Sequence, residues 1–253
     1  MSTLLKTENI CKTYTLGKNN KNQVLKNISL EISEGEFISV MGASGSGKST
    51  LLYNISGMDK TTTGKIDFCG EKISEMSEEK LAQLRLNKMG FVFQQSNLLK
   101  NLSIFDNIIV TAFLSGKEKR SEINKRALSL MEQMGIDHLE NNDITQVSGG
   151  EMQRTAICRA LINRPSIVFG DEPTGALNSS TTSEIMDILC SLNSEGTTIM
   201  LVTHDAKVAA RSDRVLFMSD GQIKGEKRLG KYDSESVKER ENDLAVWLSE
   251  MEE

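Results

Sequence analysis

The 253-residue chain is poor in several features that would each have pointed to a function class. It has 2 prolines, 2 histidines and 1 tryptophan. No apolar run approaches the roughly 18 residues of a membrane span. The longest candidates, residues 108–114 and 199–202, have the size of core segments. Work at a membrane would therefore need another chain to supply the membrane part. Cys11, Cys69, Cys158 and Cys190 are far apart, without the close pairing of a metal site. They read as reduced thiols of a cytosolic protein. Basic charge is not in excess, since 30 Lys and Arg stand against 35 Asp and Glu, a net charge of −5. That leaves no electrostatic footprint for nucleic acid. The opening Met-Ser-Thr-Leu-Leu-Lys lacks signal-peptide architecture, which again predicts a cytosolic protein.

What is present is enough apolar material for a core. Hydrophobic residues make up 38% of the chain, ordinary for one domain or a domain plus a subdomain. The most informative stretch is Gly42-Ala43-Ser44-Gly45-Ser46-Gly47-Lys48-Ser49-Thr50. It contains G-x-x-x-x-G-K-[ST] in full. Residues 37–41 before it read as a buried strand, and Leu51, Leu52 and Ile55 after it follow helical spacing. Glycines without a Cβ let backbone N–H groups close on phosphate oxygens. The helix start adds a partial positive charge. Lys48 supplies a mobile full charge, and the Ser49 hydroxyl can ligate Mg²⁺.

The remaining signals follow in chain order. Residues 3–16 and 23–32 read as two strands joined by a polar loop over 17–22. Tyr14, near the end of the first strand, can stack on a base or be an ordinary strand aromatic. Residues 65–68 read as a strand, 74–88 as a helix, and 90–93 as a buried strand ending at Gln94. A glutamine there can hold Mg²⁺ or water, or simply leave the core. Over 97–146 strand signals vanish. Helices are predicted for 104–114 and 117–134, with a short turn near His138, a surface or helix-end residue. Ser148-Gly149-Gly150-Glu151 combines a capping box with two glycines at a helix start, suited to phosphate or to capping alone. The helix runs to about residue 163, where Pro165 follows.

Residues 166–169 are a strand ending in Asp171 and Glu172, at the edge where ligands of α/β sheets bind. Asp171 can serve Mg²⁺ and Glu172 can act as general base, unless the pair is only an acidic turn. A helix over 182–192 precedes a strand over 196–203 that ends at His204. That histidine can donate to a phosphate or be structural. A hairpin over 214–224 and a helix after a second capping box, Ser236-x-x-Glu239, complete the chain. The last helix, with Val237, Leu244, Trp247, Leu248 and Met251 on one face, can pack on the main domain or dock a partner.

With Gly42 to Thr50, Gln94, Val147 to Gln153, Asp171-Glu172 and His204 in this order, the chain resembles the ATPase subunit of ATP-binding-cassette transporters. The likeness covers about residues 4–225. It is most specific at the serine-glycine-glycine signature and residues 167–172. Met41 to Thr50, Phe91 to Gln95 and Asp171 to Leu177 resemble the branch serving lipoprotein release, macrolide efflux and antimicrobial-peptide resistance. The resemblance implies an α/β fold: a P-loop NTPase core with a mostly parallel sheet, an N-terminal antiparallel β subdomain, and an inserted α-helical subdomain at about 97–163. It implies an ATP-binding domain over 1–225 and an appended helix or tail over 226–253.

It also implies roles. Tyr14 stacks on adenine. Gly42 to Thr50 hold the phosphates of ATP. Ser49, Gln94 and Asp171 serve Mg²⁺, and Gln94 couples to the membrane partner. Ser148, Gly149 and Gly150 contact the nucleotide of the opposite subunit. Glu172 is the base and His204 the switch histidine. The implied partners are an integral membrane permease, a second copy of the chain in an ATP sandwich, and a sensor protein if the output is signalling instead of transport. The implied location is the inner face of the cell membrane, held peripherally through the permease. Three positions depart from the family pattern: Val147 for leucine, Gly170 for a larger residue, expected to loosen its strand end, and Asn178 for aspartate. A repair ATPase would need long coiled coils between Lys48 and Ser148, where only a hundred residues lie. A translation ATPase usually carries two cassettes.

Overall fold

The computed structural model describes residues 2–17 and 20–252. In chain order the strands are β1 (Thr3–Leu16), β2 (Asn20–Ser33), β3 (Phe37–Met41), β4 (Thr63–Phe68), β5 (Glu71–Lys72), β6 (Met89–Phe93), β7 (Ile167–Asp171), β8 (Thr198–Val202), β9 (Arg214–Ser219) and β10 (Gln222–Arg228). The helices are α1 (Lys48–Ile55), α2 (Glu78–Lys88), α3 (Ile104–Ser115), α4 (Arg120–Gln133), α5 (Gly149–Leu161), α6 (Ser179–Ser194), α7 (Ala206–Ala209) and α8 (Val237–Glu252).

The strands form two sheets. One is antiparallel, in the order β2-β1-β4-β5. The other has the order β10-β9-β3-β8-β7-β6. In it β9, β3, β8, β7 and β6 run parallel and only β10 is antiparallel. Strands covered on both faces need apolar side chains on both, which is why residues 37–41 and 198–202 read as apolar runs with Ser39 and Thr198 as their polar members. Val168, Ile199 and Leu201 pack toward the helices α3 to α6. Ile167, Phe169, Met200 and Val202 pack on the other side, with α1 and the antiparallel sheet. Helix α1 is thus lodged in a core shared by the two sheets, with Leu51, Leu52 and Ile55 fully buried.

Between β6 and β7 the chain contains only helices and short turns: α3, α4, single turns over Asp137–Leu139 and Ile144–Gln146, and α5. The β6–α5 contact is close. A Cβ on Gly90 would meet the Ala160 carbonyl oxygen at 2.6 Å.

Several local expectations need correction. The helix expected from Ser74 begins at Glu78, because residues 73–75 form a separate single turn and Met76 is extended. Ser77 is the N-cap, accepting from the Lys80 N–H, and Glu78 and Glu79 fill the first turn where the dipole favours acids. Helix α4 begins at Arg120, three residues later than expected. The loop expected over 17–22 is shorter: Gly17 turns and β2 starts at Asn20, while Lys18 and Asn19 lie outside the described residues. The second capping box is absent. Ser236 ends a single turn capped by Asp233, and its hydroxyl donates to the Asp233 carbonyl. Gly170 does not loosen β7. The space of its missing side chain is filled by Leu201 and Pro173, and a Cβ there would meet Leu201 Cδ2 at 2.4 Å.

Helix α8 is fastened to the parallel sheet. Leu244 is buried against Met41, Val215 and Ala209, and the Trp247 ring stands edge-on to Phe217 at 6.4 Å. Met251 covers Gly225, where a Cβ would come within 2.5 Å of the sulfur. Glu253, the end of the expected tail, lies outside the described residues. Arg240 is the main polar anchor. Only 7% exposed, its guanidinium donates to the carbonyls of Ala210, Ser212, Leu229, Gly230 and Lys231. Burial lowers its pKa, yet five carbonyl acceptors compensate a charge held out of water. Arg240→Ala leaves those carbonyls short of a donor. The variant should lose about 3 kcal/mol of stability in denaturant unfolding. A midpoint equal to that of the unmodified protein would show that α8 is held by its apolar contacts alone.

Candidate functional site

The loop between β3 and α1 turns on glycines in conformations that side chains resist. Gly42 has φ +144°, Gly45 +81° and Gly47 +102°. A Cβ on Gly42 would lie 2.0 Å from the Met218 carbonyl oxygen, so β9 itself enforces glycine there. The Gly221 N–H donates to the Ser46 carbonyl at 3.1 Å, tying the loop to the β9–β10 turn. Ala43, Ser44 and Gly45 are exposed, whereas Ser46, Gly47 and Lys48 are buried. Gly47 is the N-cap of α1 and has no side chain to cap it. The first N–H groups of the helix are thereby left for an external acceptor. The Ser46 hydroxyl is buried with no partner.

Lys48 folds back over this loop. Its ammonium donates to the Gly42 carbonyl at 2.8 Å and the Ala43 carbonyl at 2.9 Å. Burial pulls its pKa down, while the negative charges of Glu172 and Asp171 act in the opposite direction. The arrangement is a cationic, donor-rich cradle, which fits a polyphosphate.

Opposite the loop, β7 ends in the acidic pair. The Ser49 hydroxyl donates to Asp171 Oδ1 at 2.8 Å, and the Tyr53 hydroxyl donates to Oδ2 at 2.7 Å. Hydroxyl and carboxylate oxygens side by side are hard donors, which fits Mg²⁺. Glu172 is in the left-handed region, with φ +49°. Its N–H donates to the Val202 carbonyl at 2.9 Å and its carbonyl accepts from the Gly175 N–H at 3.0 Å. His204, just past β8, places its Nδ1 2.7 Å from Glu172 Oε2. Gln94, just past β6, approaches the same point. A Cβ on Gly175 would meet Gln94 Nε2 at 3.1 Å and Glu172 Oε2 at 3.2 Å. Glu172 and His204 also line a cavity of about 400 Å³, bounded by residues of α6, α7 and α8.

Tyr14 is held on the antiparallel sheet. Its hydroxyl donates to Asp59 Oδ2 at 2.7 Å, and the Lys12 ammonium sits 4.7 Å from the ring centroid. Lys12 also reaches Asp59 Oδ1 at 2.6 Å. Burial and then Asp59 raise the phenol's pKa, against a smaller opposing contact from Thr50 in the first turn of α1. The ring remains 38% exposed, enough for a base to stack on it.

Ser148 caps α5 in the expected box. Its N–H and hydroxyl donate to Glu151 Oε2 at 2.7 and 2.8 Å, which lowers the pKa of Glu151. Gly150 is closely covered: a Cβ there would meet Thr181 Cγ2 at 2.6 Å. Asn178 caps α6, accepting from the Thr181 N–H at 3.0 Å. Gln153 reaches the Phe93 carbonyl at 3.0 Å, linking α5 to the strand end beside Gln94.

The structure therefore brings Lys48, Ser49, Asp171, Glu172, His204 and Gln94 to one edge. Among the described residues, no hydrogen bond or ion pair joins Ser148, Gly149 or Gly150 to the Gly42 to Thr50 loop. Two residues were not anticipated from the sequence. Asp59 orients Tyr14, and nothing in the local pattern announces it. Tyr53 holds Asp171, and its place one helical turn after Ser49 was the available signal.

Comparison with known proteins identifies the family. The model of the ABC transporter family matches residues 25–175. The macrolide export ATP-binding/permease protein MacB of Chlorobaculum tepidum is 43% identical over 215 residues, 85% of this chain. The chain spans only 33% of that relative's length. The lipoprotein-releasing system ATP-binding protein LolD of Aquifex aeolicus is 42% identical over 226 residues, 89% of this chain and 98% of that one. The ABC transporter ATP-binding protein MJ0796 of Methanocaldococcus jannaschii is 41% identical over 238 residues, 91% of this chain and 99% of that one. The dimeric post-hydrolysis structure of MJ0796 bound to ADP and Pi superimposes with a TM-score of 0.83, covering 90% of this chain and 100% of that one at 39% identity. With a family model over most of the chain, relatives above 40% identity and the same fold, this chain belongs to the ABC transporter family and is an ATP-binding, ATP-hydrolysing member of it.

Proposed function

We propose that this chain is the ATPase motor of a transporter whose membrane part is a separate permease, exporting or conferring resistance to an antimicrobial peptide or another lipid-like, amphipathic substrate. The observation that carries the motor reading is the Glu172–His204 contact of 2.7 Å on the edge that also holds Lys48 and Asp171. No helix among the described residues is long and apolar enough to cross a membrane. The name of the MacB relative joins an ATP-binding and a permease part, which supports a permease partner and, through it, a peripheral position at the membrane's inner face. The macrolides and lipoproteins in the names of the MacB and LolD relatives are amphipathic, which supports the substrate class.

In this reading ATP lies with adenine on Tyr14 and its phosphates against residues 42–50. The uncapped start of α1 and the Lys48 ammonium meet phosphate charge. Ser49, Asp171 and Gln94 would hold Mg²⁺, whose charge would offset that of the phosphates. Glu172 accepts the proton of the attacking water as the water oxygen bonds to the γ-phosphorus and the bond to the ADP oxygen breaks. His204 keeps the Glu172 carboxylate turned to that task through Oε2, leaving Oε1 as the acceptor. Two copies form the working unit, each offering Ser148, Gly149 and Gly150 to the other's γ-phosphate. This accords with the dimeric state of MJ0796 and with the side-chain bonds of Ser148, which among the described residues go to Glu151 and not to its own phosphate loop. The domain bounds follow the same division: an ATP-binding domain over 1–225 with a helical subdomain at about 97–163, then α8.

Three outcomes test this. Glu172→Gln should lower steady-state phosphate release by about 10²- to 10⁴-fold while ATP binding persists; ordinary turnover would remove Glu172 as the base. ATP added to the Glu172→Gln protein should convert it to a dimer in light scattering, and adding Ser148→Arg should prevent this without weakening ATP binding to the monomer. Dimerisation that survives the arginine would reject the shared-site arrangement. Finally, tagged Glu172→Gln protein with ATP should retain a stoichiometric polytopic membrane protein in mild detergent. Retention of soluble proteins alone, also with unmodified protein and ADP, would favour an ATP-gated switch reporting to a sensor.

A further inference from the structure

We propose that Tyr53 is a positioning residue for the divalent cation, fixing the Asp171 carboxylate that holds it; this rests on the metal role read for Asp171 above. Ser49 and Tyr53 are four residues apart on α1, so their side chains lie on one face, one turn apart. Each gives its hydroxyl to a different oxygen of the same carboxylate, Ser49 to Oδ1 at 2.8 Å and Tyr53 to Oδ2 at 2.7 Å. A carboxylate held through one oxygen still turns about its Cβ–Cγ bond. Held through both, it cannot turn without breaking a hydrogen bond.

The two donors are not equivalent. Ser49 is itself placed to ligate the cation, so its hydroxyl takes its direction from the ion once the ion is bound. Tyr53 has no such second task. Its ring packs against the core that α1 shares with the two sheets, which sets the direction of the phenol. A phenol keeps its proton throughout the neutral range, so Tyr53 remains a donor there. A fixed donor behind a metal-binding carboxylate lowers the cost of ordering that ligand when the ion arrives.

The test uses Mn²⁺ as the probe. Its binding to the full chain with ADP is followed by electron paramagnetic resonance, beside ADP affinity measured in EDTA. Tyr53→Phe keeps the ring and removes only the donor. It should weaken Mn²⁺ binding about tenfold and leave the metal-free ADP affinity unchanged. The Mg²⁺ concentration for half-maximal ATPase should rise by the same factor, with kcat at saturating Mg²⁺ within about twofold. Asp171→Asn is the reference and should lose more Mn²⁺ affinity than Tyr53→Phe. If Asp171→Asn binds Mn²⁺ as the unmodified protein does, the metal role of Asp171 falls and this proposal with it. If Asp171→Asn loses Mn²⁺ and Tyr53→Phe does not, Tyr53 alone is overturned. Equal losses with and without metal in Tyr53→Phe also overturn it, since they mark damaged packing.

Discussion

The site exists because β3, β8, β7 and β6 lie side by side and parallel. Parallel neighbours end on the same edge, and in this order the edge collects Gly42, Thr203, Asp171 and Gln94 from segments up to 161 residues apart. A parallel pair cannot be closed by a hairpin, so each connection is a crossover carrying helices. The helices cover both faces or are joined in that by the second sheet, which is what lets every strand residue be apolar. Burial of the strands and convergence of the loops are one constraint. A sheet exposed on one face would have tolerated alternating polar residues.

Within that frame, legibility followed the range of the interactions. Apolar runs identified the strands, and the glycine loop announced its own conformation, because Gly42, Gly45 and Gly47 are needed for local backbone reasons. The capping box at Ser148 and Glu151 was likewise readable, since all its partners lie within four residues. The same pattern at Ser236 misled. There Asp233 captures the preceding turn, and the serine hydroxyl is spent on a carbonyl. Ser74 misled for a related reason, its hydroxyl accepting from the Ile66 N–H across to β4 instead of opening a helix.

What could not be read is what depends on distant chain. Gly170 looked like a gap because the sequence does not say that Leu201 and Pro173 close over it. Nothing in the local sequence marks Arg240, whose five carbonyl partners come from residues 210–231, folded back beneath α8. Asp59 is 45 residues from the tyrosine it orients. In each case the side chain's role is set by the tertiary arrangement. The residue type then tells only what it can donate or accept.

The backbone at Glu172 ties fold to chemistry most directly. A glutamate at φ +49° occupies a region where L side chains are strained, by about 1 kcal/mol or more. The conformation is held by two backbone bonds, to the Val202 carbonyl and from the Gly175 N–H, and by Pro173 packed into the space that Gly170 leaves. Had the strand simply continued, residue 172 would have pointed to the face opposite Asp171. The left-handed turn instead aims the carboxylate at His204, on the edge Asp171 already occupies. Glycine at 170 and proline at 173 are thus linked to the acid between them: one makes room, the other fills it, and the strained residue is kept where its side chain can act.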